Sequence, residues 1–407
     1  MSDSTVVFDP FAAGFAADPY VQYEALRTTE PVHLDGLGTW YLFRYEDINR
    51  FLRDPDLSVD LGRAHPTLMS ELLEEGLGKR SDDNPASFNN VMFFHDPPKH
   101  TRLRRLVQKA FTARIVSNLR PRIEQIAADL LDDVAAHGEA DLVSGFTFPL
   151  PFKVITELIG VDTRRADEVR DWSGILVQHL DPTVPGDMSQ MLDAAEGIRA
   201  HAADVIEWKR TDPGDDLLSG MIHAREDGES LSQDELVEQI VFLYIAGHET
   251  TVNLLGNGSL ALLRHPHAFQ LMRADETVRE NAASELLRYD SPVQFSRRVT
   301  VSDLRVGETE IEAGATVMLA LGSGNRDPEF WGDGVCDVDL GRANASEHVS
   351  FGGGRHYCIG AFLARVEAEI GLGQLVTRFP DLRMAGEPEW NGRINLRGVS
   401  RLPVATS

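Results

Sequence analysis

The chain has 407 residues, and its 39 Lys and Arg against 64 Asp and Glu give a formal net charge of −25. This balance repels phosphate backbones and anionic bilayers, so it argues against general nucleic-acid binding. The composition, 42% hydrophobic and 25% charged, is that of a folded globular chain. Two cysteines cannot form a disulfide framework or supply the four ligands of a structural zinc site. A chemically active cysteine would therefore act alone.

The chain shows no targeting segment and no division into parts. Its first twenty residues contain three Asp and no Lys or Arg, unlike the basic start of a signal peptide. The longest nearly uncharged stretches, 239–247 and 250–263, are shorter than the roughly 18 apolar residues of a membrane helix. No Gly/Ser-rich or Pro-rich linker interrupts the sequence. We expect a single domain over residues 1–407, cytoplasmic and without a membrane anchor.

The predicted elements are mainly helical, with small β parts. In chain order, we predict a strand in 38–44, helices in 117–136, 166–180, 191–208 and 232–264, and strands within 299–321. The helix over 232–264 is the longest. Ser232 followed three residues later by Glu235 predicts a capping box at its start, and His265-Pro266 ends it.

The middle of this long helix, residues 246–251, has the sequence AGHETT, which is a poor helix interior. A mid-helix Thr250 is able to bond the carbonyl of Ala246 and to open a groove beside that small residue. Taken alone, this pattern equally fits a helix kink satisfied by water, and both interpretations stay open at this point.

Cys358 follows three consecutive glycines and precedes a good helical pattern. At a helix start, free backbone N–H groups stabilise a thiolate, which predicts a lowered pKa and a role as ligand or nucleophile. Cys336 has no such surroundings, and we expect it to be a small buried residue.

The pattern F-G-G-G-x-H-x-C-x-G over 351–360 resembles the haem-ligand loop of the cytochrome P450 family, in the form usual for soluble bacterial members. The resemblance implies the P450 fold, a triangular helical prism with haem b between the long central helix and the helix after the cysteine. Cys358 would be the axial thiolate and metal ligand. Phe351 would shield the sulfur, while Gly352 and Gly360 shape the loop and allow a flat group to approach.

Three further motifs match the same family. Glu285 and Arg288 resemble its E-x-x-R helix, which implies a buried structural ion pair. Val338-Asp339-Leu340-Gly341-Arg342 departs from the usual F-D-x-x-R at Val338, but we still expect Arg342 to join that pair. The segment 95–104 resembles the part of the family that holds the haem propionates. The residues implied as propionate partners are His100, Arg104, Arg298 and His356.

The resemblance also gives the long helix a function. Ala246 and Gly247 would line the groove where dioxygen binds, and Glu249 and Thr250 would form the acid and alcohol pair that delivers protons there. Thr251 is expected to be a packing hydroxyl.

Partners are implied by the same resemblance. The segment 99–114 carries six basic residues and no acid, and it would border the thiolate side of the haem, where ferredoxin docks. No flavin or nicotinamide fingerprint occurs in the sequence, so we expect separate ferredoxin and ferredoxin reductase chains serving a monomeric enzyme. The substrate is expected to be a medium to large, mostly apolar small molecule. Its predicted pocket residues are Phe88, Val91, Ile175, Leu243, Ala246, Val293, Gln294, Phe295 and Ile394.

The sequence therefore predicts a haem-thiolate monooxygenase. Two alternatives within the same chemistry are a peroxide-driven peroxygenase, against which the Glu249 and Thr250 pair argues, and a non-catalytic haem sensor. A cysteine hydrolase using Cys358 and His356 is a further alternative, but no orienting carboxylate pattern accompanies the two residues.

Overall fold

The computed structural model describes residues 8–66, 88–161, 165–179 and 187–406. It is mainly helical with small sheets, as predicted. The helices, labelled in chain order, are α1 Tyr20–Thr29, α2 Tyr45–Phe51, α3 Lys99–Ala110, α4 Ala113–Ala135, α5 Pro149–Ile159, α6 Ala166–His179, α7 Met188–Thr211, α8 Leu217–His223, α9 Gln233–Arg264, α10 Pro266–Ala274, α11 Arg279–Tyr289, α12 Leu321–Gly324, α13 Pro328–Trp331 and α14 Ala361–Arg378. The strands are β1 Val32–Leu34, β2 Thr39–Leu42, β3 Leu57–Ser58, β4 Glu139–Asp141, β5 Phe295–Thr300, β6 Leu304–Val306, β7 Thr309–Ile311, β8 Thr316–Ala320, β9 Arg383–Met384, β10 Glu389–Trp390, β11 Val399–Arg401 and β12 Pro403–Ala405.

The predicted helices are present with small shifts of their ends. The helix predicted over 191–208 extends as α7 by one turn at its start, and the predicted end of α6 at Leu180 lies outside the described residues. The long helix α9 begins after Ser232, whose hydroxyl accepts from the backbone N–H of Glu235 while the Glu235 carboxylate accepts from that of Ser232. The predicted capping box is confirmed. No helix in the described part of the chain has both the length and the apolar character needed to cross a bilayer.

The largest sheet has five strands in the order β1-β2-β8-β5-β3. Strand β2 runs parallel to β8, with Thr39 opposite Thr316, and β5 runs antiparallel to β8, with Arg298 opposite Val317. An isolated bridge between Val293 and Leu396 brings the segment before β5 to the loop between β10 and β11. The sheet therefore joins strands from the first sixty residues to strands between residues 295 and 320.

Two apolar cores hold these elements together. The larger one is helical and centres on α9, where residues such as Leu255 and Leu260 are almost fully buried. The second is rich in aromatic rings and packs the segment around Phe8 against the five-stranded sheet, with the Phe8 and Phe295 ring centroids 6.0 Å apart. Burying such rings stabilises each contact beyond its area alone. The site described next uses elements of both cores.

Arg397 ties the beginning of the described chain to its last part. The guanidinium donates through Nε to the carbonyl of Ala16 at 2.7 Å and through Nη2 to that of Ala17 at 2.9 Å. Its Nη1 forms a buried ion pair with Asp290 at the end of α11. The loop between β10 and β11 is thereby bonded to the first described residues and to the end of α11.

Candidate functional site

The loop before α14 has a shape that its glycines make possible. The backbone N–H of Cys358 donates to the carbonyl of Phe351 at 3.0 Å and closes the loop. Gly352 and Gly354 have φ angles of +69° and +60°, a region that favours glycine. At Gly354 a Cβ would also lie 2.8 Å from the carbonyl oxygen of Leu52. The glycines therefore fix where the cysteine sits.

Cys358 has accessible surface, but much protein surrounds its sulfur. That surrounding protein raises the thiol pKa, outweighing Arg104 and the backbone N–H groups of Gly360 and Ala361, which lower it. The lowered pKa expected from the helix start is therefore wrong for the polypeptide by itself. At Gly360 a Cβ would have only the Cys358 Sγ, at 3.9 Å, within contact range, so the space beside the sulfur is open. Cys336 is exposed, and its expected burial is also wrong.

Next to the cysteine loop, buried histidine nitrogens without partners lie close to two arginines. The rings of His100 on α3 and His356 are 4.3 Å apart, and His100 Nδ1 and Nε2 and His356 Nε2 have no hydrogen-bond partner. Arg298 on β5 is 6% exposed and donates to Ser296 Oγ at 2.8 Å, and Arg104 Nη2 donates to the Tyr357 carbonyl at 2.7 Å. The four residues predicted to hold propionates thus lie on α3, on β5 and in the cysteine loop.

The electrostatics of this cluster favour an anion. Burial, with added repulsion from Arg104, lowers the pKa of His100 to about 4. Burial, with repulsion from His100 and Arg298, lowers the pKa of His356 to about 3. Burial lowers the pKa of Arg298 to about 10. Buried donors left unpaired are costly, so this cluster fits a negatively charged group that accepts several hydrogen bonds.

In the middle of α9, Thr250 makes the predicted contact: its Oγ1 donates to the carbonyl of Ala246 at 2.9 Å. The helix nevertheless continues without a break from Gln233 to Arg264. Thr251 is 2% exposed and its Oγ1 donates to the Gly247 carbonyl at 3.3 Å, which agrees with a packing hydroxyl.

Gly247 also serves helix packing. A Cβ at this position would lie 2.8 Å from Cδ1 of Ile155 on α5, so the glycine allows α5 to pack closely against α9. The prediction that Ala246 and Gly247 line a dioxygen groove stays a prediction. Ala246 remains the small residue that is half-buried beside the hydroxyl of Thr250.

Glu249 has a partner that the sequence did not predict. Its carboxylate forms an ion pair with Arg393, in the loop between β10 and β11, and both side chains are nearly buried. The two residues are 144 positions apart, and no local pattern links them.

The predicted pocket residues differ in how far they are buried. Val91 and Gln294 have no accessible surface, Phe295 is 3% exposed and Leu243 is 6% exposed, so these four offer a ligand little or no contact area. Phe295 packs in the aromatic core, and the Nε2 of Gln294 donates to the Ser291 carbonyl. The remaining predicted pocket residues are half-buried, namely Phe88, Ile175, Ala246, Val293 and Ile394.

Phe242 was not among the predicted pocket residues, although it lies one turn before Ala246 on α9. The ring of Phe93, which is 53% exposed, lies 5.4 Å from that of Phe242. The spacing of four residues between Phe242 and Ala246 was the available sequence clue.

The Glu285 and Arg288 pair is buried, as the E-x-x-R resemblance implies. Both side chains have no exposure, and two parallel hydrogen bonds of 2.7 and 2.8 Å join them. Arg342 reaches the same carboxylate at 3.2 Å, which confirms it as the third member despite the neighbouring Val338. Arg288 also donates to the carbonyls of Asn325, Val335 and Asp337.

Comparison with known proteins identifies the family. Residues 175–391 match the sequence model of the family described as Cytochrome P450. The chain is 43% identical, over 97% of its length and 96% of the other protein, to "Cytochrome P450 107B1" of Saccharopolyspora erythraea. The chain belongs to the cytochrome P450 family. It is therefore an oxidoreductase, a P450 monooxygenase.

Other P450 relatives agree along nearly the full chain. "6-deoxyerythronolide B hydroxylase" of Saccharopolyspora erythraea is 39% identical over 98% of this chain and 99% of its own. Among solved structures, the polyketide synthase P450 PksS of Bacillus subtilis superimposes with a TM-score of 0.89 at 35% identity, covering 98% of this chain and all of that one. The P450 fold expected from the sequence is confirmed.

The P450 family implies a haem-thiolate cofactor, and the residues present fit it. The open space beside the Cys358 sulfur would receive the flat macrocycle, and the unpartnered donors of His100 and His356 would meet its carboxylates. No second group of unpaired buried donors lies beside a cysteine in the described residues, since Cys336 is in an exposed turn.

Proposed function

We propose that this monooxygenase holds haem b through Cys358 and inserts one atom of O2 into a medium to large, mostly apolar substrate. The observation that carries the proposal is the unpartnered, buried His100 and His356 pair beside an accessible cysteine. When bound, the haem supplies the redox centre at which O2 is activated. His100, Arg104, Arg298 and His356 would bind its carboxylates and orient it.

The cysteine loop protects and tunes the sulfur. Phe351 lies under the guanidinium of Arg365, 5.0 Å from the ring centroid, and packs at the edge of the main core. It would exclude water from Cys358, while Gly360 and Ala361 donate backbone N–H groups to the sulfur. Such donors stabilise negative charge on a thiolate ligand.

Thr250 and Glu249 would move protons on the other side of the cavity. Thr250 Oγ1 donates to Ala246 in the resting helix, so its lone pairs are free to accept from a water or a substrate hydroxyl. The Glu249 carboxylate, one residue earlier, is nearly buried but still reaches solvent. We propose that Glu249 takes protons from solvent and that Thr250 positions the acceptor.

Two observations support the proposed substrate class: the names of the relatives, and the half-buried apolar residues near α9. Relatives 40% and 39% identical are named "Vitamin D(3) 25-hydroxylase" and "6-deoxyerythronolide B hydroxylase", and one structural neighbour is described as tirandamycin C-bound. These are bulky, largely apolar molecules. Phe88, Phe93 and Phe242 would give such a ligand an aromatic wall opposite Ile394.

We propose that a ferredoxin, reduced by a separate reductase, supplies electrons at the face around Tyr357. The predicted basic docking segment needs revision, since Arg102 pairs with Glu235 and Lys109 with Glu226, so neither offers a free charge. Arg105 and Arg114 of that segment remain exposed, as do Tyr357 and Phe362. Arg104, next to Arg105 on α3, donates to the Tyr357 carbonyl. Positive charge together with exposed rings suits an acidic protein with an apolar contact patch.

The docking face is tested by stopped-flow reduction. Arg105→Gln and Phe362→Ser should slow reduction by ferredoxin and, for Arg105→Gln, weaken its dependence on salt. Neutralising Lys109, whose charge is already paired within the chain, is the matched control. Equal effects of Arg105 and Lys109 variants would place the docking face elsewhere.

The proposed function is tested with purified protein loaded with haem. The reduced protein under carbon monoxide should show the red-shifted absorption of a thiolate ligand, which a hydrolase would lack. With NADPH, ferredoxin, its reductase and a panel of macrolide and secosteroid probes, ¹⁸O from ¹⁸O2 should appear in product. Turnover with hydrogen peroxide alone would favour the peroxygenase, and no turnover with any donor would favour the sensor.

A further inference from the structure

One face of α9 is bonded to the loop between β10 and β11, residues 391–398. Glu249, Asn253 and Asn257 follow each other at intervals of four, so they lie above one another on the helix surface. All three contact that loop or its end. The contacts are the Glu249 ion pair with Arg393, Asn253 Nδ2 to the Leu396 carbonyl at 3.4 Å, Asn257 Nδ2 to the Arg397 carbonyl at 3.2 Å, and the Val399 N–H to Asn257 Oδ1 at 3.2 Å.

The two asparagine contacts differ in kind from the acidic one. Asn253 and Asn257 bond backbone groups, and a Cβ at Gly398 would lie 2.0 Å from Asn253 Oδ1, so the loop is pressed against the helix there. Glu249 instead bonds the side chain of Arg393, so this end of the loop is joined to α9 through an ion pair and not through a backbone bond. The ion pair is therefore the adjustable contact of the three.

Arg393 is continuous with the pocket wall. Its backbone N–H donates to Asn391 Oδ1 at 3.1 Å, and the next residue is half-buried Ile394. Asn395 then accepts from the N–H of Phe295 at 2.9 Å through its side chain. A ligand that displaces Ile394 must move the backbone of Arg393, since the two are adjacent and the loop is held on both sides.

We propose that Arg393 is a positioning residue that couples the pocket wall at Ile394 to the carboxylate of Glu249. This inference rests on the proposed function, in which Glu249 supplies protons to the Thr250 side of the cavity. While Arg393 donates to Glu249 Oε1, the carboxylate is directed toward the loop. A substrate seated against Ile394 weakens that contact and releases the carboxylate. Because coupling is reciprocal, Glu249 in turn holds the wall in place.

The chemical test uses holoenzyme with NADPH, ferredoxin and reductase in the absence of substrate, and measures hydrogen peroxide. Arg393→Met removes the charge and keeps the length of the side chain, so it should raise peroxide formation by about fivefold or more, the usual size of such coupling. Arg393→Lys should restore the low rate. Arg401→Met is the matched control, because Arg401 forms an exposed pair with Glu389 on the next strand and should leave the rate unchanged.

The mechanical test is independent of activity. Hydrogen exchange measured by mass spectrometry should be faster in peptides covering 391–398 in both Arg393→Met and Glu249→Gln, and unchanged in Arg401→Met. If exchange there is unchanged in both variants, the coupling is refuted. An increase in peroxide for Arg393→Met that persists in the Glu249→Gln background also refutes it, because Arg393 would then act by another route.

The failure of the proposed function has a different signature. If Glu249→Gln leaves turnover and peroxide unchanged yet loosens 391–398, Glu249 is not the proton donor, while its mechanical link to the wall stands.

Discussion

Removal of Arg288 should destabilise the protein through the acid it leaves behind. Glu285 is fully buried, and in Arg288→Ala it would keep only Arg342 and the backbone N–H of Asp339 as partners. Three carbonyls would lose their donor as well. Breaking a buried pair from one side costs about 3 to 5 kcal/mol. At about 2.1 cal/mol/K per residue, unfolding this chain has an entropy near 0.85 kcal/mol/K, so the melting temperature should fall by about 5 °C.

The assay is calorimetry together with the haem-to-protein ratio. Arg165→Ala is a suitable control, since Arg165 and Glu168 have the same spacing and a similar forked geometry on an exposed surface. Exposed pairs contribute little, so the control should melt like the wild type. Arg288→Lys keeps the positive charge, so its melting temperature should lie between those of Arg288→Ala and the wild type. An unchanged melting temperature and full haem content in Arg288→Ala would refute the reasoning.

Three further outcomes are expected. Thr250→Ala should lower product formed per NADPH and release the difference as hydrogen peroxide, whereas Thr251→Ala should not; full coupling in the first variant would contradict the assigned role. Cys358→Ser should abolish the thiolate-type carbon monoxide absorption, and Cys336→Ser should preserve it; the reverse pattern would overturn the ligand assignment. Burial lowers the pKa of His348 from 6.5 to about 3. The unfolded chain therefore binds a proton at His348 that the folded chain does not as pH falls below 6.5. This one residue should lower the free energy of unfolding by about 1.4 kcal/mol per pH unit in that window, in addition to the contributions of His100 and His356. His348→Asn should reduce the slope by that amount, and an unchanged slope would contradict the role of His348.

Local patterns predicted those features whose causes are local. The capping box at Ser232 and the bond from Thr250 to Ala246 each depend on residues three or four apart, so the sequence contains the whole interaction. The loop around Cys358 is similar, because consecutive glycines permit φ angles that few other residues adopt. The family resemblance then supplied Arg342, which no local rule would pair with Glu285.

Features that depend on how distant elements meet were predicted less well. The sequence does not show that Gly247 lets α5 approach α9, because the contact with Ile155 joins residues far apart in the chain. The sequence predicts free charges at Arg102 and Lys109, because it does not show that the segment containing Glu226 and Glu235 lies beside them. The sign of the thiol pKa shift at Cys358 depends on the amount of protein around the sulfur, which outweighs the start of the helix.

The hydrogen bonds of Arg397 constrain the order in which the parts of the chain fold. This side chain holds the carbonyls of Ala16 and Ala17, and β2 pairs in parallel with β8, so contacts that fix the sheet join segments separated by about 280 to 380 residues. The helical core around α9 also depends on late residues, since Leu363, Leu402 and Val404 pack in it. The five-stranded sheet has all its strands once Ala320 has been made, but this core and the wall that carries Arg393 can close only after almost all of the chain has emerged from the ribosome. Cofactor capture would then follow synthesis.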